Sequence, residues 1–151
     1  MAEMLFRNEL RKYKRKDISV SSAGLYAYPG NPPDPKMVDY LRNKGVHFKR
    51  PGARQLTGED LNWADLILVM ERDHAIMIRE SWPEVVKKVE LFGNYIAEDQ
   101  RPDDIVDPFG KPSYYYHVTQ TQIRLGLKNL LKRLAQERTE THRAKNQNYG
   151  G

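Results

Sequence analysis

The sequence contains no cysteine. That excludes disulfides, cysteine-ligated metal sites and thiolate catalysis together for these residues. There is also no uninterrupted apolar run of about 18 residues, the length a membrane-spanning helix needs, so no membrane partner is expected. The opening MAEMLFRNEL lacks a basic stretch followed by an apolar one. It does not read as a secretory signal, and a cytoplasmic location is the expectation. Four histidines, His47, His74, His117 and His142, are scattered along the chain without metal-ligand spacing. No metal and no cofactor are expected.

What is present suits one ordinary folded unit. The chain has 151 residues, of which 39% are hydrophobic, enough for a single core in a single domain. The formal net charge is +5, and the excess sits at the two ends. Residues 1–16 carry six basic side chains against two acidic ones, and residues 132–151 carry five against two. Basic ends of this kind attract nucleic acid when they form a face on folded structure. The mixed charges of residues 50–110 argue against that use, and no nucleic-acid partner is expected. The basic run Arg11–Lys16 instead falls where a helix ends, and cations there meet the negative pole of its dipole.

Periodicity predicts helices at about 2–15, 35–44, 58–64, 72–81 and 113–135, and strands near 18–22, 66–70 and 88–95. Ala2, Leu5, Phe6, Leu10 and Tyr13 recur at helical spacing. Asp34 is placed to cap the second helix, Pro35 sits in its first turn, and Gly45 is placed to stop it in a left-handed conformation. Thr57 and Asp60 form a T-x-x-D start signal for the third. The run LILVM at 66–70 suits a strand buried on both faces. Ile123, Leu127, Leu130, Leu131 and Leu134 give the last helix its stripe. Residues 136–151 turn polar and basic and are expected to be a disordered tail behind a domain spanning 1–135. Strands alternating with helices predict an α/β, three-layer fold around a central parallel sheet.

Several short motifs occur in one order: SSAGL at 21–25, NPPDP at 31–35, ARQLT at 53–57, LILVM at 66–70 followed by Glu71, and DIVDPFG at 104–110. Asp107-Pro108 alone reads as a turn. The ordered set resembles the low-molecular-weight protein tyrosine phosphatases, a family that includes arsenate reductases and bacterial protein arginine phosphatases. The resemblance covers about residues 1–135.

That resemblance implies phosphomonoester hydrolysis through a phosphocysteine intermediate, on a loop of the form C-x5-R-S between the first strand and the first helix. Backbone N–H groups, the helix dipole and the arginine would hold the phosphate. Asp107 matches the general acid, which protonates the leaving oxygen and then activates water. Phe109 matches the aromatic that flanks the substrate ring. Tyr26 and Tyr28 fall in the loop of the opposite wall, and Ser22 matches the serine that steadies the phosphate loop. Tyr114, Tyr115 and Tyr116 open the last helix as phosphorylation candidates or as rings packed on the core.

The chain departs from the pattern at its nucleophile. There is no cysteine and no C-x5-R. The family's first helix often opens S-P-M-A-E, and this chain opens M-A-E, so the strand, Cys and Arg are expected ahead of Met1. In the family that strand lies at the centre of the sheet, between 18–22 and 66–70. Without it the chain is expected to lack phosphatase activity, with strand exchange into an oligomer as one way to cover the open position. The alternative is a non-catalytic pseudophosphatase that binds phosphoprotein or kinase partners. The implied substrates are phosphotyrosine or phosphoarginine proteins, and the DPFG form points to a bacterial member.

Overall fold

The computed structural model describes residues 1–49, 52–96 and 104–147, with side chains through residue 140. Helix α1, Ala2–Lys12, buries Met4, Leu5, Phe6 and Leu10. It ends three residues before the expected 15. The reason is a closed C-terminal motif in which Lys14 N–H donates to the Arg11 carbonyl (3.2 Å) and Arg15 N–H to the Leu10 carbonyl (2.9 Å). Lys14 takes the left-handed conformation this requires, φ 53°. Tyr13, expected on the buried stripe, is therefore exposed.

Helix α2, Pro35–Asn43, begins where Asp34 accepts a hydrogen bond from Lys36 N–H at 3.1 Å. Met37, Val38 and Leu41 are its buried face. Gly45, at φ 71°, follows its last turn. Helix α3, Gly58–Trp63, opens on a reciprocal capping box between Thr57 and Asp60.

Strands β1 (Ile67–Val69) and β2 (Val89–Leu91) pair in parallel, in the register Ile67 to Val89, Leu68 to Glu90 and Val69 to Leu91. Helix α4, Arg72–Ser81, connects them and packs on both. The alternation of side chains divides the core. Leu66, Leu68 and Met70 face the larger cluster with α1, α2 and the last helix. Ile67, Val69, Val89 and Leu91 face the smaller one with Leu61, Ala75 and Ile78. Helices thus cover both faces of a parallel sheet, the α/β arrangement expected.

The expected strand at 18–22 does not form. Ile18 and Val20 pack on the larger core, but the Val20 carbonyl accepts from the Arg7 guanidinium instead of a ladder partner. The nearby backbone pairing is a single parallel bridge, Gly24 to Gln55. The third strand is short because Phe92–Tyr95 tightens into a 3₁₀ turn.

Helix α5, Ser113–Gln147, runs past the expected end at 135. The polar segment 136–147, expected to be disordered, continues the helix, and local bonds support its first turn. Arg133 pairs with Glu137 one turn on at 2.8 Å, and Thr139 Oγ1 donates to the Ala135 carbonyl at 3.0 Å. Arg138 also meets Asp17 beyond α1 at 3.5 Å. Residues 148–151 of the expected tail lie outside the described residues. Among the described residues, no helix is long and apolar enough to cross a membrane.

Candidate active site

The Asp107 loop is fixed before it reaches Asp107. Ile105 is buried, and its N–H donates to the Met70 carbonyl at the end of β1 (2.9 Å). On α5, Thr119 Oγ1 donates to the Val106 carbonyl (2.6 Å), and the Gln122 side-chain oxygen accepts from Val106 N–H (3.3 Å). Asp107 follows directly and is exposed. Its carboxylate accepts from Phe109 N–H at 3.0 Å, folding Asp107-Pro108-Phe109 into a side-chain-closed turn. Gly110, at φ 73°, completes the turn in a conformation that glycine adopts without strain. Through the Ile105–Met70 bond the loop abuts the carboxyl end of β1, the edge at which open α/β sheets present their ligand sites. Phe109 is 72% exposed.

Ser22 lies on the extended segment after α1. Its hydroxyl donates to Glu3 Oε2 at 2.5 Å, and Glu3 also pairs with Arg7 at 2.7 Å. Tyr26 and Tyr28, 82% and 78% exposed, belong to a loop held by a side chain outside it. Gln55 accepts from Ala27 N–H (2.9 Å) and donates to the Leu25 carbonyl (2.6 Å). Its neighbour Arg54 donates to Ser21 Oγ (2.9 Å) and pairs with Asp60 of the capping box (2.8 Å). An open cleft runs beside this segment, lined by residues that include Met1, Glu3, Ser22, Asn31, Pro33 and Arg54. Burial of the Met1 amino group there pushes its pKa below the ordinary value, against the opposing charge of Glu3. Ser22 lines this cleft; Asp107, Phe109, Tyr26 and Tyr28 do not.

A bond that the sequence reading missed connects the cleft border to the first turn of α5, the helix that anchors the Asp107 loop. Tyr116 is 2% exposed, and its hydroxyl donates to Asp34 Oδ2. Asp34 closes the NPPD segment whose Asn31, Pro32 and Pro33 line the cleft. Burial, the Asp34 bond and the charges of Asp34 and Asp107 push the Tyr116 hydroxyl up to about 12. Gln55 and Arg54 were also missed as loop supports. Their position inside the ARQLT motif was the available signal.

The sequence model of the family described as low molecular weight phosphotyrosine protein phosphatase matches residues 1–140. The chain is 30% identical over 141 residues to the protein-arginine-phosphatase of Bacillus subtilis, covering 91% of this chain and 89% of that one. It is 35% identical over 86 residues to the low molecular weight protein-tyrosine-phosphatase Etp of Escherichia coli, spanning 58% of that relative's length. Among solved structures, the YwlE arginine phosphatase of Geobacillus stearothermophilus superposes with a TM-score of 0.79 at 26% identity, over 92% of this chain and 88% of that one. A protein tyrosine phosphatase from Entamoeba histolytica, at 18% identity and a TM-score of 0.81 over 91% of this chain and 88% of that one, shares the fold. The order of motifs, the parallel sheet between helical layers and the match over nearly the whole chain agree: this chain belongs to the low molecular weight phosphotyrosine protein phosphatase family.

Proposed function

We propose that these 151 residues form a phosphatase-family scaffold that carries the general acid but does not itself hydrolyse phosphomonoesters. The observation that carries this is the absence of cysteine from the sequence, in a family read as working through phosphocysteine. Hydrolysis of that kind needs a nucleophile, an anion cradle and an acid. Asp107 is exposed on an anchored turn, suited to give a proton to a leaving oxygen and later take one from water. Phe109, with Tyr26 and Tyr28 opposite, would flank an aromatic or planar phosphorylated side chain. Ser22 is engaged with Glu3. A general acid contributes about 10²–10⁴-fold, and it does not replace covalent capture of phosphorus.

The substrate class of this reading is a phosphotyrosine or phosphoarginine protein, in the cytoplasm of a bacterium. The unit that matters is residues 1–135, and nucleic acid is not a partner. The second reading is a pseudophosphatase that binds phosphoprotein without hydrolysis. It is favoured by the exposure of Phe109, Tyr26 and Tyr28, three rings available for contact without any chemistry.

The test is p-nitrophenyl phosphate turnover by the purified 151-residue chain. No rate above buffer is expected. Fusing a family first strand and C-x5-R-S loop ahead of Met1 should create activity, and Asp107→Asn in that fusion should slow it by about 10²-fold or more. Turnover by the unfused chain after rigorous purification would overturn the proposal, as would a fusion indifferent to Asp107→Asn. Binding of a phosphotyrosine peptide by the unfused chain, without turnover, would select the second reading.

A further inference from the structure

Two loops border the candidate site, the NPPD segment and the Asp107 turn, and among the described residues no backbone hydrogen bond joins them. The NPPD segment ends in Asp34, which does two things at once. Its Oδ1 accepts from Lys36 N–H at 3.1 Å and so starts α2, while its Oδ2 accepts from the Tyr116 hydroxyl. Tyr116 belongs to the first turn of α5. Thr119 and Gln122 follow it at intervals of three, and each bonds one side of the Val106 peptide at 2.6 and 3.3 Å. These three residues share one side of the helix.

Tyr116 has neighbours of the same type that make no such link. Tyr114 is 70% exposed and Tyr115 37%, and their rings meet each other at 5.7 Å. Tyr116 is buried at 2% and packs within 6.3 Å of Tyr40 on α2. A buried phenol needs a partner for its hydroxyl. Here that partner is the one residue that both caps α2 and ends the cleft border. The Asp107 carboxylate is also close enough to Tyr116 for its charge to act on the hydroxyl.

We propose that Tyr116 is a positioning residue, whose hydroxyl bond to Asp34 locks the loop carrying Asp107 to the N-terminus of α2. The bond ties the general-acid side of the site to its cleft side through a single buried side chain. Its functional meaning rests on the reading of Asp107 as the acid; the mechanical coupling does not.

The test is amide solvent exchange by NMR on the 151-residue protein, with Phe109 N–H reporting the Asp107 turn and Lys36 N–H reporting the α2 cap. Tyr116→Phe keeps the ring and removes only the hydroxyl. It should speed Phe109 exchange about tenfold while leaving a core amide such as Leu127 unchanged. Asp34→Ala should speed Phe109 by a similar factor and Lys36 as well. Tyr116→Phe combined with Asp34→Ala should speed Phe109 no more than either alone. Asp34→Asn retains a polar partner for both groups and should return Phe109 exchange to within about twofold of the parent. An unchanged Phe109 amide in Tyr116→Phe would overturn the proposal. So would additive effects of the two substitutions, or an Asp34→Asn protein that behaves like Asp34→Ala. Activity does not enter this measurement, so a failure of Asp107 as acid, seen in the fusion protein, is a separate result.

Discussion

Gly126→Ala opposes two rules of known size, and the structure decides between them. Gly126 lies in the interior of α5, where replacing glycine by alanine favours the helix by about 1 kcal/mol. A Cβ at this position would meet Phe92 Cε1 at 2.6 Å and Cζ at 2.7 Å, with Ile96 Cγ1 at 3.4 Å. Carbon atoms rest at roughly 3.5–4.0 Å, so the methyl group would overlap the ring edge by about 1 Å. Phe92 is 1% exposed and has little room to withdraw. It packs against Tyr95 at 6.2 Å, and Tyr95 is held by hydroxyl bonds to Glu90 and Arg133 and by the Asn129 amide on its carbonyl. Overpacking of a fixed core contact costs about 1–3 kcal/mol. With about 1 Å of overlap on a ring that cannot withdraw, the upper part of that range applies, so the repulsion exceeds the propensity gain and Gly126→Ala should destabilise by about 1–2 kcal/mol. Urea unfolding followed through Trp63 and Trp82 fluorescence should show an earlier midpoint at unchanged slope. The melting temperature should fall by about 2–8 °C. Phe92→Leu in the same chain removes the offending ring edge and should recover part of the Gly126→Ala loss. A Gly126→Ala protein as stable as the parent, or more so, would refute the reasoning.

Two further outcomes concern the backbone and the titrating phenols. Lys14→Gly removes a side chain held at φ 53° and should raise unfolding stability by about 0.5–1 kcal/mol; a loss in the same urea assay would show that the lysine stem offsets its strain. Tyr116 and Tyr95 both have hydroxyls pushed above their ordinary value, first by burial and then by bonds to Asp34 and Glu90 respectively. A group whose pKa is raised on folding contributes stability that is complete below its unfolded pKa and lost as pH climbs towards the folded one. The melting temperature should therefore fall between about pH 10 and about pH 12, as the unfolded chain ionises first. Tyr116→Phe should flatten part of that fall, and a parent protein with no fall in this range would contradict the burial and bonding of both hydroxyls.

The elements that could be read from sequence are those whose signals are local. Asp34, Pro35 and Gly45 mark both ends of α2 through capping chemistry that needs no distant partner. Thr57 and Asp60 form their box within one turn. The run at 66–70 showed burial on both faces because apolarity without alternation means a covered sheet, and Leu68 and Val69 do face different clusters. The segment 18–22 failed for the converse reason. Ser, Val and Ile favour extended backbone, but a strand exists only where another strand accepts its bonds, and here Arg7 takes the Val20 carbonyl. The polar continuation of α5 was hidden because its support is a set of i, i+4 bonds and one contact to Asp17, not an apolar stripe. The three consecutive tyrosines were indistinguishable in sequence. One of them is buried because the helix phase points it at Asp34 and the α2 face, information carried by tertiary packing alone.

The candidate site is legible in the same divided way. The turn chemistry of Asp107-Pro108-Phe109-Gly110 is local, and the turn forms as its residues dictate. What places that turn is not local: a carbonyl at the end of β1, and Thr119 and Gln122 on α5. None of these anchors is a nucleophile or a phosphate ligand. The position of Asp107 is therefore set by the sheet edge and one side of α5, independently of any thiolate. A carboxylate that owed its place to a phosphate loop would lose its geometry with the loop. One held by Met70, Thr119 and Gln122 keeps it, which is why a polypeptide without cysteine still presents an ordered, exposed aspartate beside an exposed aromatic ring.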